Sequence, residues 1–146
     1  MTSDWRVKFL GLAEHVGSWS KDPSTQVGAV FVEPETKNIL SVGYNGFPKG
    51  IKDHADRLYS RSVKNSMMVH AEKNAIYNAT ANGVQLRGSW IFVTGLPVCD
   101  QCALGLIQVG VKNVVMQKVE IPDRWVKSWD MSRSYFDEAG VSYDFV

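Results

Sequence analysis

The sequence predicts an α/β domain with a mixed five-stranded sheet that opens with an antiparallel hairpin and continues through parallel strands. Three observations predict it. Two apolar runs, Gln26 to Glu33 and Ile39 to Gly43, flank the turn-forming stretch Pro34-Glu35-Thr36-Lys37-Asn38, which is a hairpin pattern. In the second half strand, helix, strand, helix and strand alternate, which requires parallel pairing through crossover helices. The length, 146 residues, suits one domain spanning 1–146 around one core.

The elements follow in order. Ser3 or Thr2 caps a first helix that runs to about Trp19, with Trp5, Phe9, Leu12, Ala13 and Val16 as its buried stripe. Pro23 punctuates the break before the hairpin. From Tyr44 to about Val69 the pattern is irregular, with Gly46, Pro48 and Gly50 and mixed charges. A loop of that length in a small domain is commonly functional, and this one leads into the chemistry described below. His70 to Asn82 reads as a helix stopped by Gly83, and Trp90 to Thr94 as a buried strand. Cys99 to Val109 is a helix stopped by Gly110, and Val111 to Met116 a strand. Ser132 to Ala139 is a helix and Val141 to Val146 the last strand.

Composition narrows the function. Hydrophobic residues make up 45% and charged residues 21%, with a net charge of +1. A protein that tracks long nucleic acid carries a basic stripe, and none runs through this chain; a small anionic ligand needs only a few local cations. No apolar run reaches the roughly 18 residues of a membrane span, and Met1 to Lys8 lacks a signal-peptide core. The expectation is a cytoplasmic protein with no membrane or nucleic-acid partner. Its two cysteines, spaced Cys-x-x-Cys, then point to metal or redox chemistry rather than a structural disulfide.

His70-Ala71-Glu72 and Pro97-Val98-Cys99-Asp100-Gln101-Cys102 decide between those. One histidine and two thiolates leave the fourth tetrahedral position of a zinc ion open, the mark of a catalytic site. Cys99 and Cys102 fall in the first turn of a helix, where free N–H groups favour thiolates and the i, i+3 spacing puts both on one face. Glu72, two residues from His70, reaches over the metal without binding it. His-x-Glu followed by Cys-x-x-Cys is the signature of the zinc deaminases, in which the glutamate shuttles protons to the ring of the base. The competing readings are a redox pair, which has no use for His-Ala-Glu, and half of a Cys₄ site, for which a second cysteine pair is missing. A non-catalytic zinc module that binds nucleotides is a third reading, against which Glu72 argues. His15 and His54 read as surface, packing or loop residues, and Trp125, Trp129 and Tyr135 as packing or interface residues rather than a base-stacking platform.

Three stretches carry a family likeness: Lys21-Asp22-Pro23-Ser24-Thr25-Gln26-Val27-Gly28-Ala29, Gly43-Tyr44-Asn45-Gly46-Phe47-Pro48 and His70-Ala71-Glu72-Lys73-Asn74-Ala75-Ile76. They resemble deoxycytidylate (dCMP) deaminases of the cytidine deaminase-like superfamily over about Lys21 to Met116. The resemblance implies a three-layer α/β/α sandwich and hydrolysis of dCMP to dUMP. It also implies a homohexamer that dCTP activates and dTTP inhibits, with Mg²⁺ accompanying the triphosphate. It assigns Zn²⁺ to His70, Cys99 and Cys102, catalysis to Glu72, and substrate contacts to Asn45, Ser24, Gln26 and Ala71. Gly43, Tyr44, Asn45 and Gly46 become the effector motif. Lys21, Arg57, Lys64 and Arg124 are candidates for the phosphate. Another pyrimidine nucleoside or nucleotide as substrate is the alternative. The sequence departs from the family in the tail after Val119, which matches poorly, and just before the first cysteine: Val98 stands between Pro97 and Cys99, where the family places proline directly before the cysteine and uses the backbone to accept hydrogen bonds from the leaving amine.

Overall fold

A computed structural model describes residues 1–146. The first helix, α1 (Ser3–Gly17), is capped by Thr2, whose hydroxyl accepts from Trp5 N at 3.4 Å. β1 (Gly28–Val32) and β2 (Ile39–Tyr44) form the antiparallel hairpin. α2 (Ala55–Leu58) and α3 (Arg61–Met67) follow, then α4 (Ala71–Ala81), β3 (Trp90–Thr94) and α5 (Asp100–Gln108). β4 (Asn113–Met116), α6 (Asp123–Ala139) and β5 (Ser142–Phe145) complete the chain.

The sheet order is β2-β1-β3-β4-β5. β1 pairs antiparallel with both β2 and β3, whereas β3–β4 and β4–β5 are parallel, as the helices between them require. Every residue of β1 is buried, because both faces of the sheet are covered. Alternation sorts its side chains. Val30 and Val32 meet Phe9, Leu10 and Ala13 of α1 on one face. Ala29 and Phe31 face the other, with α4, α5 and α6. The result is the three-layer α/β/α sandwich with a mixed five-stranded sheet.

Several elements depart from the sequence reading, β4 among them, which begins at Asn113 rather than Val111. α1 ends at Gly17, and Trp5 lies exposed instead of in its buried stripe. β1 begins at Gly28, since Gln26 and Val27 bond outside the ladder. The segment 44–69 is not one irregular loop: α2 and α3 occupy it, too short to show an apolar period. α6 starts at Asp123, nine residues before Ser132. Its inward stripe of Trp125, Trp129, Ser132 and Phe136 contains a serine, which interrupts the hydrophobic period. β5 extends the same sheet and its Phe145 stacks edge-on against Trp129.

Candidate active site

Two helix starts meet beyond the end of β3. His70 is the N-cap of α4 and Cys99 the N-cap of α5, both with extended backbone. The Cys99 sulfur itself caps α5, accepting from Cys102 N at 3.4 Å. This fixes Cys102 one turn along on the same side. His70 Nδ1 lies 3.4 Å from Cys99 Sγ and 3.5 Å from Cys102 Sγ, and the three donor atoms lie within 4.8 Å of one another. A tetrahedral zinc ion, with bonds of about 2.3 Å to sulfur and 2.0–2.1 Å to nitrogen, separates its ligand atoms by about 3.6–3.8 Å. The triangle therefore fits zinc in donor chemistry and in size, and it leaves one coordination position over.

Protonation is arranged to match. The hydrogen bond from Cys102, reinforced by His70, brings the Cys99 thiol down to about 4 despite its burial. Cys102 is pushed up, first by giving its hydrogen bond to Cys99 and then by burial, so two adjacent thiolates require a cation to share. His70 is raised chiefly by its hydrogen bond to Cys99, against burial. Glu72 is 4% exposed in the first turn of α4. Burial, followed by the neighbouring Cys99 charge, pushes its carboxyl up to about 7. That is the range in which a carboxyl both takes and returns a proton at neutral pH.

His70, Ala71 and Glu72 open onto a cavity of about 290 Å³, close to the lower end of small-molecule sites, roughly 300–1,000 Å³. Part of its wall is built on a buried ion pair. Lys64 Nζ lies 2.9 Å from Asp22 Oδ1, and the same oxygen accepts from Ser24 N at 2.8 Å and Thr25 N at 3.2 Å. Burial alone would raise Asp22, but the bonds from Lys64, Ser24 and Thr25 outweigh it and hold its carboxyl below the usual value. Asn45 ties this wall to the sheet: its amide oxygen accepts from Val27 N at 2.8 Å and its nitrogen donates to Thr25 O at 2.9 Å. Arg61, Arg124 and Trp125 line the remaining side. A neighbouring groove of about 510 Å³ shares His70 and Trp125 with the cavity and reaches Cys99 and Asp100.

The structure thus gathers His70, Glu72, Cys99 and Cys102 into one centre, with Asn45, Ser24 and Ala71 in the cavity wall. It does not bring Gln26 there: that side chain is exposed and donates to Ser20 O. Among the phosphate candidates Lys64 and Arg124 line the cavity, with Lys64 committed to Asp22. Lys21 pairs with Asp53 on the surface, and Arg57 donates to Lys52 O. Arg61 was not among them, although Arg61, Lys64 and Met68 are spaced as one helix face that precedes His70. Trp125, Trp129 and Tyr135 all pack with the core, and Trp125 also lines the cavity, its ring 6.3 Å from that of His70. Gly43 and Tyr44 lie outside the cavity, as does Gly46, which pairs with Val69 across a short bridge. Gly43 is needed for packing: a Cβ there would sit 2.4 Å from Ala75 N and 2.5 Å from Ala71 O of α4. The Val98 carbonyl, directly before Cys99, is buried and accepts from Ser132.

Comparison with known proteins agrees with this geometry. The model of the cytidine and deoxycytidylate deaminase zinc-binding region matches residues 3–118. An uncharacterized deaminase encoded in the luxG 3′ region of Aliivibrio fischeri is 43% identical over 143 residues, 97% of this chain and 92% of that one. The deoxycytidylate deaminase of Pongo abelii is 36% identical over 147 residues, covering 96% of this chain and 78% of that one. A cyanophage S-TIM5 dCMP deaminase, solved with dCMP and dUMP, shares the fold with a TM-score of 0.81 at 24% identity, over 100% of this chain and 99% of that one. With the three donor atoms, the buried glutamate and the match over residues 3–118 in agreement, the chain belongs to the cytidine and deoxycytidylate deaminase family.

Proposed function

We propose that this protein hydrolyses dCMP to dUMP and ammonia, as a hydrolase acting on the C–N bond of a cyclic amidine. The observation that carries the proposal is the position of buried Glu72 beside the His70, Cys99 and Cys102 donors, in a cavity also lined by Arg61 and Arg124. The relatives named deoxycytidylate deaminase support the choice of substrate. When bound by His70, Cys99 and Cys102, zinc supplies a water acidic enough to react near neutral pH. Glu72 takes one proton from the water that adds to C4 and delivers it to N3. It then moves the second water proton to the amino nitrogen; the C4–N bond breaks, ammonia leaves, and C4 keeps the oxygen as the carbonyl of dUMP. Trp125 offers its ring as a flat wall for the base, and Asn45 and Ser24 border the sugar. Arg61 and Arg124 are the cations free to meet the 5′-phosphate, since Lys64 is held by Asp22. The test is ammonia release from dCMP and from deoxycytidine. A clear preference for dCMP is the expected result, and equal specificity constants would show that the phosphate is not read.

The finer proposal is a homohexamer activated by dCTP and inhibited by dTTP, with Mg²⁺ bound alongside the triphosphate. It rests on the family likeness and on Tyr44, 39% exposed at the end of β2, where Trp19 meets it edge-on at 6.0 Å. Gly43 contributes through packing, so Tyr44 and Gly46 are the part of the motif left to meet an effector. Each nucleotide shifts activity only by its differential affinity for the two states. Saturation curves for dCMP alone, with dCTP and with dTTP, together with the mass of the assembly, test it.

A further inference from the structure

The loop that delivers the cysteines is held by one helix. Trp125 Nε1 donates to Pro97 O at 2.7 Å, and Ser132 Oγ donates to Val98 O at 2.7 Å. Ser128 Oγ accepts from Asp100 N at 3.0 Å and donates to Asp100 Oδ1 at 2.6 Å. Positions 125, 128 and 132 are spaced i, i+3, i+7, so all three side chains project from one face of α6. Their targets, Pro97, Val98 and Asp100, bracket Cys99: the residue before it and the residue after it are each fastened by a serine. Val98 and Ser132 are fully buried, so no water replaces that bond. Asp100 N is one of the N–H groups at the start of α5 that the helix leaves free, and Ser128 satisfies it just after Cys99 has capped the turn.

This ladder falls where the sequence departs from Pro-Cys-x-x-Cys. Here both carbonyls ahead of Cys99, those of Pro97 and Val98, are taken up by α6. We infer that Trp125, Ser128 and Ser132 are positioning residues that aim the Cys99 and Cys102 thiols at the metal. The inference rests on the proposed zinc-dependent reaction. Groups that orient metal ligands typically govern about 10–100-fold in affinity or activity, whereas a serine that only fills space would leave the metal unaffected.

The experiment measures zinc affinity of the full chain by competition with a chromogenic chelator, and the thiolate-to-metal and d–d absorption bands of the cobalt-substituted protein. Ser132→Ala and Ser128→Ala are expected to weaken zinc binding about 10- to 100-fold and to shift the cobalt bands. Ser128→Thr, which keeps the hydroxyl at a half-buried position, is expected to restore both. Should Ser132→Ala fail to fold, the Ser128 pair decides alone. Variants with wild-type affinity and cobalt spectrum, changed only in melting temperature, overturn the positioning role while the zinc reaction stands. A wild-type chain that binds no zinc overturns the zinc reaction itself, and this inference with it.

Discussion

Lys64 Nζ sits 2.9 Å from Asp22 Oδ1 with the two side chains only 7% and 6% exposed, so one wall of the cavity rests on a buried ion pair. Removing one partner leaves a buried charge without its counterpart, which destabilises by about 3–5 kcal/mol. Lys64→Met is expected to lose stability of that order in urea unfolding, and Lys64→Met with Asp22→Asn to recover most of it. The pH dependence has a definite sign. The carboxyl of Asp22 is depressed in the folded state, so its contribution is fully present above the ordinary carboxylate value of 3.8 and is lost as pH falls through the lower folded value. Wild-type stability should therefore fall more steeply below about pH 4 than that of Asp22→Asn.

Glu72→Gln keeps the size of the side chain and removes its proton chemistry. It is expected to retain zinc and melting behaviour while kcat falls by about 10²–10⁴ or more. Elemental analysis and steady-state ammonia release check the two halves separately.

Cys102→Ser replaces a soft thiolate with a hydroxyl in the three-donor centre. Zinc content of the purified protein should fall from about one per chain to well below that, and turnover should fall with it. Full zinc occupancy in this variant would mean that the metal has other ligands.

Arg61→Gln and Arg124→Gln are aimed at the phosphate. Losing a hydrogen bond between charged groups costs about 1.5–3 kcal/mol, roughly tenfold or more in kcat/KM. The loss should appear with dCMP and not with deoxycytidine. Equal losses with both substrates would assign the arginines to the cavity wall instead.

Gly43→Ala places a Cβ within 2.5 Å of the α4 backbone, where no side chain can yield. Thermal unfolding should show a loss of at least about 1–3 kcal/mol. Wild-type stability would mean that α4 is free to withdraw from β2.

Much of this architecture was legible in the sequence, and the gaps have physical causes. β3 shows at its true limits because Trp90 to Thr94 is a short apolar run bounded by turn residues. α4 and α5 were found within a residue because His70 and Cys99 introduce them and Gly83 and Gly110 stop them. The metal centre was legible because its residue types and spacing have few other uses. The cavity's polar wall was not. Asp22 and Lys64 are 42 positions apart, and a buried lysine looks like any surface lysine until its partner is seen. The part of α6 ahead of Ser132 was hidden because it is rich in polar residues and turns Ser128 toward Asp100, where a core helix ordinarily turns a leucine.

Cys99 is both a member of the donor triangle and the cap of α5, so local order and metal occupancy are linked variables. Linkage is reciprocal: whatever firms the first turn of that helix tightens the hold on the ion, and whatever frays it loosens the hold equally. With zinc bound as proposed, moderate warming that opens this one turn is expected to release the ion ahead of the global melt, and zinc release and unfolding followed on one thermal ramp would check it.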